Sequence, residues 1–273
     1  MSETARIRAG GQELAVARYG SGPRLIVVHG GPGLDHRSLA PLGTALARDH
    51  EVWMPDLPGH GASHEDGARL PDLNQTIDRT ARWLAGLDVG APVVAHSLGA
   101  WVVREAIRRR GFRPPAAVWI APPAGTGRRS PVRRSVDALS IRERPVDDLD
   151  AVRAELLAHV AQESPESLTP EFREAITLGR MRPPWAYGPL LRQLHRALIR
   201  RTPRCVPGCP VLVIGGRLDR TTPPAHARAV ADATDGAELV VLEKQGHFPA
   251  ADGSDAVERA IRSFLSRVAD APA

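Results

Sequence analysis

The chain reads as an α/β protein: a mostly parallel sheet with helices on both faces. Three observations carry that expectation. Short, near-continuous apolar runs alternate with amphipathic stretches over residues 24–123 and again over 209–269, as in strands covered on both sides. Hydrophobic residues make up 42% and charged residues 25% of the 273 positions, a globular balance that rules out wholesale disorder. Between the two alternating segments, residues 124–204 hold no convincing strand. That stretch is too long for an ordinary loop and is expected to form a helical lid over one edge of the sheet.

The elements follow in order. The opening stretch, "MSETARIRAGGQELAVARYG", reads as two short strands around Gly10-Gly11 and lacks the apolar core of a signal peptide. "RLIVVHG" (24–30) is a buried strand, and "LDHRSLAPLGTALARD" (34–49) reads as one amphipathic helix. "EVWMPDLPGHG" (51–61) is a strand ending in a glycine-proline loop, and "NQTIDRTARWLAGLD" (74–88) is a helix with Asn74 as candidate N-cap. The strand "APVVAH" (91–96) leads into the helix "LGAWVVREAIRRRG" (98–111), with Gly111 placed to terminate it. The strand "AAVWIAP" (116–122) closes the first half. Within 124–204, "DLDAVRAELLAHVAQES" (148–164) and "PLLRQLHRALIRR" (189–201) are helical. The second half supplies a strand (209–219), a helix (223–234), a strand with its loop (237–247) and a last helix (254–269) capped by Ser254. The expected division is a core of residues 1–123 and 205–273 and a helical cap of residues 124–204.

A net charge of +5 raises nucleic acid as a partner. Lys244 is the sole lysine, however, and the arginines are spread along the chain in small clusters. Aromatic residues, at 4%, are too sparse for base-stacking platforms. The expectation is therefore no nucleic-acid partner. No apolar run reaches the length of a membrane span, so a cytoplasmic chain with no membrane partner is expected. The two thiols, Cys205 and Cys209, lack companion ligands for a metal site. Oligomeric state is not legible.

Four short stretches fall just past the ends of expected strands, where open α/β sheets place their ligands: "HGGPG" (29–33), "AHSLGA" (95–100), "GGRLD" (215–219) and "QGHF" (245–248). Ser97 stands between a buried strand and a helix. There a serine is either an N-cap or a nucleophile held at a sharp turn, whose close neighbours must be small. Ala95, Gly99 and Ala100 are all small, which favours the nucleophile. Asp219 and His247 each follow a strand as well. In that arrangement His247 takes the serine proton, while Asp219 fixes the imidazole and stabilises its charged form. The glycines of "HGGPG" permit close backbone approach, so the N–H of Gly31 can face a developing oxyanion, whereas Pro32 has no N–H. The second donor is the N–H of Leu98. His29 and Gly30 are candidate substrate contacts. So are Trp185, Tyr187 and Leu190, with Leu191 and Leu194, on the helical stretch; packing the cap onto the sheet is the alternative role for the latter group.

Taken together, "VVHGGPGLDHRSL", "MPDLPGHGAS", "VVAHSLGA", "VIGGRLDRTTPP" and "QGHFP" resemble the landmark blocks of the α/β-hydrolase superfamily, in its order and over nearly the whole chain. The order Ser97, Asp219, His247 is that of the superfamily's triad. The resemblance implies an eight-stranded, mostly parallel sheet with a helical cap inserted after the sixth strand, and no metal or organic cofactor. It implies a serine hydrolase acting on a carboxylic ester, lactone or thioester of a small to medium apolar substrate. Three alternatives stand beside it: a proline iminopeptidase-like aminopeptidase, a biosynthetic acyl-transfer or cyclising enzyme, and a non-catalytic binder of the same fold. "HGGPG" is similar to the oxyanion loop of proline iminopeptidases, but those usually carry G-G-S-W-G where this chain has "AHSLG". Their amine recognition would draw on cap acids such as Glu155, Glu163, Glu166, Glu171 and Glu174. Ser97 argues against epoxide hydrolases and haloalkane dehalogenases, which use an aspartate nucleophile.

Overall fold

A computed structural model describes residues 3–87, 90–125, 168–178, 184–248 and 255–271, with helical positions 150, 153–154, 157–158 and 160–161. Strands β1 (Glu3–Ala9) and β2 (Gln12–Tyr19) form an antiparallel hairpin closed at Gly10-Gly11. Strands β3 (Arg24–Val28), β4 (Glu51–Pro55), β5 (Val93–His96), β6 (Ala117–Ile120), β7 (Val211–Gly216) and β8 (Ala237–Leu242) follow. The sheet order is β1-β2-β4-β3-β5-β6-β7-β8, with β2 antiparallel to β4 and every later pair parallel. This is the eight-stranded, mostly parallel sheet expected.

The helices are α1 (Ala40–Leu46), α2 (Leu73–Gly86), α3 (Leu98–Arg110), α4 (Pro170–Leu178), α5 (Gly188–Leu198), α6 (Pro224–Asp232) and α7 (Ala256–Ala269). Successive strand residues point to opposite faces, and two separate apolar layers result. Ile26, Val28, Val93, Ala95, Trp119 and Val213 pack with α2, α3, α5 and α6. Leu25, Val27, Val94, Val118, Leu212 and Ile214 pack with α1 and α7. Both faces of the central strands are buried, which is why their sequences read as continuous apolar runs rather than alternating ones.

Two boundaries differ from the sequence expectation. The helix expected over 34–49 is broken into a 3-10 turn (His36–Leu39) and α1. Asp35 caps the turn by accepting from the Arg37 N–H, and Pro41 lacks the N–H needed to continue that turn into α1. Helix α2 begins earlier than expected. Asp72, not Asn74, is its N-cap, in a reciprocal box with Gln75. Asn74 lies inside the helix, its amide exposed. Gly111 ends α3 in the left-handed conformation, as expected. Ser254, the expected cap of the last helix, lies outside the described residues.

Order in this sheet reverses at β3: the chain passes from β3 to β4 on one side and then to β5 on the other. The loops after β3 and β5 therefore flank a crevice at the carboxyl ends of the strands, the place where such sheets bind ligands. Helix α3 approaches that crevice closely enough that Gly99 leaves no room for a side chain. A Cβ there would collide with the carbonyl oxygen of His29 and sit 2.9 Å from that of Val28. Because those atoms are backbone, they cannot swing aside. Gly99→Ala is expected to destabilise the fold by about 2 kcal/mol, measured by urea unfolding; a change under about 0.5 kcal/mol would remove the close-packing argument.

Candidate active site

Ser97 sits at the end of β5 with φ 47° and ψ −117°, a conformation costly for any residue bearing a Cβ. Its side chain does not cap α3. Instead Oγ lies 3.1 Å from Nε2 of His247. On the other side of that ring, Nδ1 lies 2.9 Å from Oδ2 of Asp219. All three residues are buried. The structure brings residues 97, 219 and 247 together, across 150 residues of chain.

Backbone pairing explains the meeting. The loops after β7 and β8 are bonded to each other: the Arg217 N–H donates to the Leu242 carbonyl and the Leu218 N–H to that of Gln245. The buried Gln245 side chain donates to the Phe248 carbonyl at 2.8 Å, shaping the turn that carries His247. His96, directly before the serine, donates from Nε2 to the His247 carbonyl at 2.8 Å. That bond ties the β5 turn to the histidine loop.

Thr222 is a site residue that sequence reasoning missed. Its N–H donates to Oδ1 of Asp219 at 2.7 Å, and its Oγ1 lies 2.8 Å from Oδ2. The same oxygen is 3.0 Å from the Ala121 carbonyl and 3.2 Å from Nδ1 of His247. Both carboxylate oxygens of Asp219 are therefore held. The available signal was the spacing "DRTT", since an acid followed three residues later by threonine commonly closes a turn on itself. Ala121, at φ 47°, is the only non-glycine besides Ser97 with positive φ among the described residues.

The loop "HGGPG" packs against the serine. A Cβ on Gly30 would come 2.8 Å from Nδ1 of His96 and 3.1 Å from Cβ of Ser97. Gly31 has φ 144°, a value glycine tolerates best. The Leu98 N–H, first in α3, has no carbonyl one turn earlier to receive it. The loop is braced from β4. Asp56 accepts from the His36 N–H, from His36 Nδ1 and from the Ala62 N–H, each at 2.8 Å. Burial alone would raise the Asp56 carboxyl, but these bonds and the neighbouring histidines hold it below its ordinary value.

His29 departs from the expectation of a substrate contact. It is wholly buried, its Nε2 accepts from the Leu57 N–H at 3.0 Å, and its Nδ1 faces the Gly30 carbonyl. It braces the loop from behind. Tyr187 donates to the Gly59 carbonyl at 2.8 Å and stacks on His60 with ring centres 4.4 Å apart. Leu190, Leu191 and Leu194 are buried in the layer beneath α2 and α3. These residues pack α5 against α2 and its apolar layer, close to the packing role the sequence left open. The Trp185 side chain lies outside the described residues, as do Glu155, Glu163, Glu166 and the Glu171 side chain; Glu174 is exposed.

Fold and site together define a hydrolase-type enzyme with a buried serine–histidine–aspartate arrangement. A family model for the alpha/beta hydrolase family matches residues 25–260, and the chain belongs to that family. Among curated proteins it is similar to a pimeloyl-[acyl-carrier protein] methyl ester esterase of Xanthomonas axonopodis pv. citri, 27% identical over 256 residues, covering 91% of this chain and 97% of that protein. The protein of that name from Xylella fastidiosa (strain M23) is 24% identical, covering 90% and 96%. Among solved structures, a thermophilic esterase from Thermogutta terrifontis superposes with TM-score 0.68 at 22% identity, covering 97% of this chain and 99% of that one. An epoxide hydrolase from Bacillus megaterium reaches 0.73 at 16% identity, covering 96% and 100%. Both likenesses speak for the fold alone. Among the described residues, no helix is long and apolar enough to cross a membrane.

The site is ringed by buried neutral histidines. Burial pushes His60 down to about 3 and His226 down to about 4. In the unfolded chain both titrate near 6.5. Below that pH the unfolded state binds protons that the folded state refuses, so stability is full above about 6.5 and lost as pH falls toward 4 and then 3. Thermal unfolding is expected to be flat from about pH 8 to 7 and to fall steadily below about 6.5; a midpoint that rises between pH 6.5 and 5 would contradict this.

Proposed function

We propose that the protein hydrolyses carboxylic esters through an acyl-enzyme on Ser97. The observation that carries this reading is the continuous hydrogen-bonded path from Ser97 Oγ through His247 to Asp219. With Nδ1–H donated to Asp219, Nε2 is the ring's acceptor and is aimed at the serine hydroxyl. In the first step Oγ bonds to the carbonyl carbon and its proton passes to His247. The carbonyl oxygen becomes an oxyanion facing the N–H groups of Gly31 and Leu98. Collapse breaks the ester C–O bond, and His247 returns its proton to the departing alcohol. Water then repeats the sequence, with His247 as base, to release the acid.

Asp219 and Thr222 act before the chemistry. An aspartate whose two oxygens are already held by the Thr222 N–H and hydroxyl need not reorganise when the imidazolium forms. Residues 124–204 are proposed to supply the cover of the acyl site, with α5 as its anchored base. The proteins with which the chain shares 27% identity are named for a methyl ester, which supports the ester class. For this chain we propose an ester of a small to medium apolar acid.

The test is turnover of a panel of p-nitrophenyl esters, lactones and a proline arylamide, with Ser97→Ala alongside. Ester turnover is expected to fall by at least about 10³-fold in Ser97→Ala, with loss of fluorophosphonate labelling. Equal labelling of both proteins would mean that Ser97 is not the nucleophile, and arylamide turnover without ester turnover would favour a peptidase. For the supporting residue, Thr222→Val is expected to lower kcat about tenfold with KM little changed, and Thr222→Ser to restore most of it. If Val and Ser behave alike, the hydroxyl has no role.

A further inference from the structure

Away from Ser97 lies a second concave site that the hydrolytic reading does not use. It is a cavity of about 370 Å³ between the carboxyl ends of α3 and α5 and the start of α2. Five arginines line it: Arg108, Arg109, Arg196, Arg200 and Arg201. Along α3, at 1.5 Å per residue, Arg108 stands about 16 Å from Ser97, so this is not part of the oxyanion machinery.

Helix ends often carry arginines simply to oppose the helix dipole. Two features here go further. The first is charge balance. Among the described residues, the only carboxylate paired with any of these five is Glu105, itself buried and already shared by Arg104, Arg108 and Arg109. Arg196, Arg200 and Arg201 have no ion pair among the described residues. The second is the sense of the remaining polar groups. The Gln193 side-chain oxygen accepts from the Asn74 N–H at 3.2 Å, and the Asn74 side-chain oxygen accepts from Arg109 at 3.1 Å. Both lining amide oxygens are thus engaged with the wall, and each amide keeps an NH₂ group able to donate. Leu73 and Trp101, both largely buried, form an apolar part of the cavity's lining.

A cavity walled by cations, with two amides whose oxygens are already engaged, complements a ligand that is all acceptor and multiply charged. We propose that it binds a phosphate ester or diphosphate group, held by bidentate arginine contacts, with the organic part resting on Leu73 and Trp101. A single chloride would leave most of the volume and most of the donors unused. A carboxylate would match only one arginine fork.

The experiment is calorimetric titration of the full chain with pyrophosphate, ionic strength being held constant with sodium chloride. Wild type is expected to bind, and the Arg196→Ala/Arg200→Ala double variant to bind at least about tenfold more weakly. Both side chains are exposed and have no ion pair among the described residues, so folding is not at stake. A matched variant, Arg69→Ala/Arg228→Ala, removes the same charge elsewhere and is expected to bind as wild type does. No binding above the chloride background, or equal weakening in the two variants, overturns the proposal. This arm is independent of any hydrolytic activity. A second arm separates the two sources of such a group, using paired esters with and without a terminal phosphate. A KM raised by Arg196→Ala/Arg200→Ala for the phosphorylated ester alone places the group on the substrate. Unchanged KM with pyrophosphate binding lost identifies a separate ligand.

Discussion

Much of this structure depends on one strained turn. Ser97 occupies a positive-φ conformation that costs on the order of 1–3 kcal/mol, and it persists because packing leaves no alternative. Gly99 brings α3 against the carbonyl oxygens of β3, and Gly30 brings the following loop against Cβ of Ser97. The consequence is geometric. The serine hydroxyl is pushed out of the capping position, where a helix would normally use it, and toward His247. A relaxed turn would return that oxygen to the helix N-terminus and leave the histidine without a partner.

The rest of the site can be seen as bracing for that turn. Asp56 and His29 hold the glycine-rich loop from β4, the His96 ring holds the histidine loop by its carbonyl, and Thr222 holds both oxygens of Asp219. Ala121, the second strained residue, offers its carbonyl to Thr222. The two unfavourable backbone conformations thus stand at the ends of adjacent strands β5 and β6, one carrying the serine and the other supporting the acid's partner. Strain concentrated at one crevice, with the cost met by the packing of a large sheet, is a common arrangement in enzymes. Burial lowers the pKa of His29 and His96, so the same packing that fixes the site makes it sensitive to acid.

The helices after β6 meet the core in a way that bears on both concave sites. Helix α5 lays Leu190, Leu191, Leu194 and Leu198 into the layer that covers β5 and β6. Its other face carries Gln193 and Arg196, which line the second cavity. One amphipathic helix therefore does two things through its two faces, and the placement of its polar face follows from where its leucines must go.

The sequence by itself determined the sheet, its helices and the three residues that meet at its edge. Continuous apolar runs identify strands buried on both faces, and chemistry-bearing residues stand just past their ends, so chain order alone places residues 97, 219 and 247 at one edge. Local signals failed where two adjacent capping residues compete, as at Asp72 and Asn74, and where a proline splits an amphipathic run, as at Pro41. Only the tertiary structure decided the roles that depend on what lies opposite in space. Pattern could not distinguish His29 as a brace from His29 as a contact, because burial and partner come from β4, more than twenty residues away. Thr222 is invisible until the loops after β6, β7 and β8 are brought together. The arginine cavity is assembled from three helices far apart in the chain, each of whose basic residues looks ordinary alone. Period and order are local properties of a chain; the partner that completes a hydrogen bond is not.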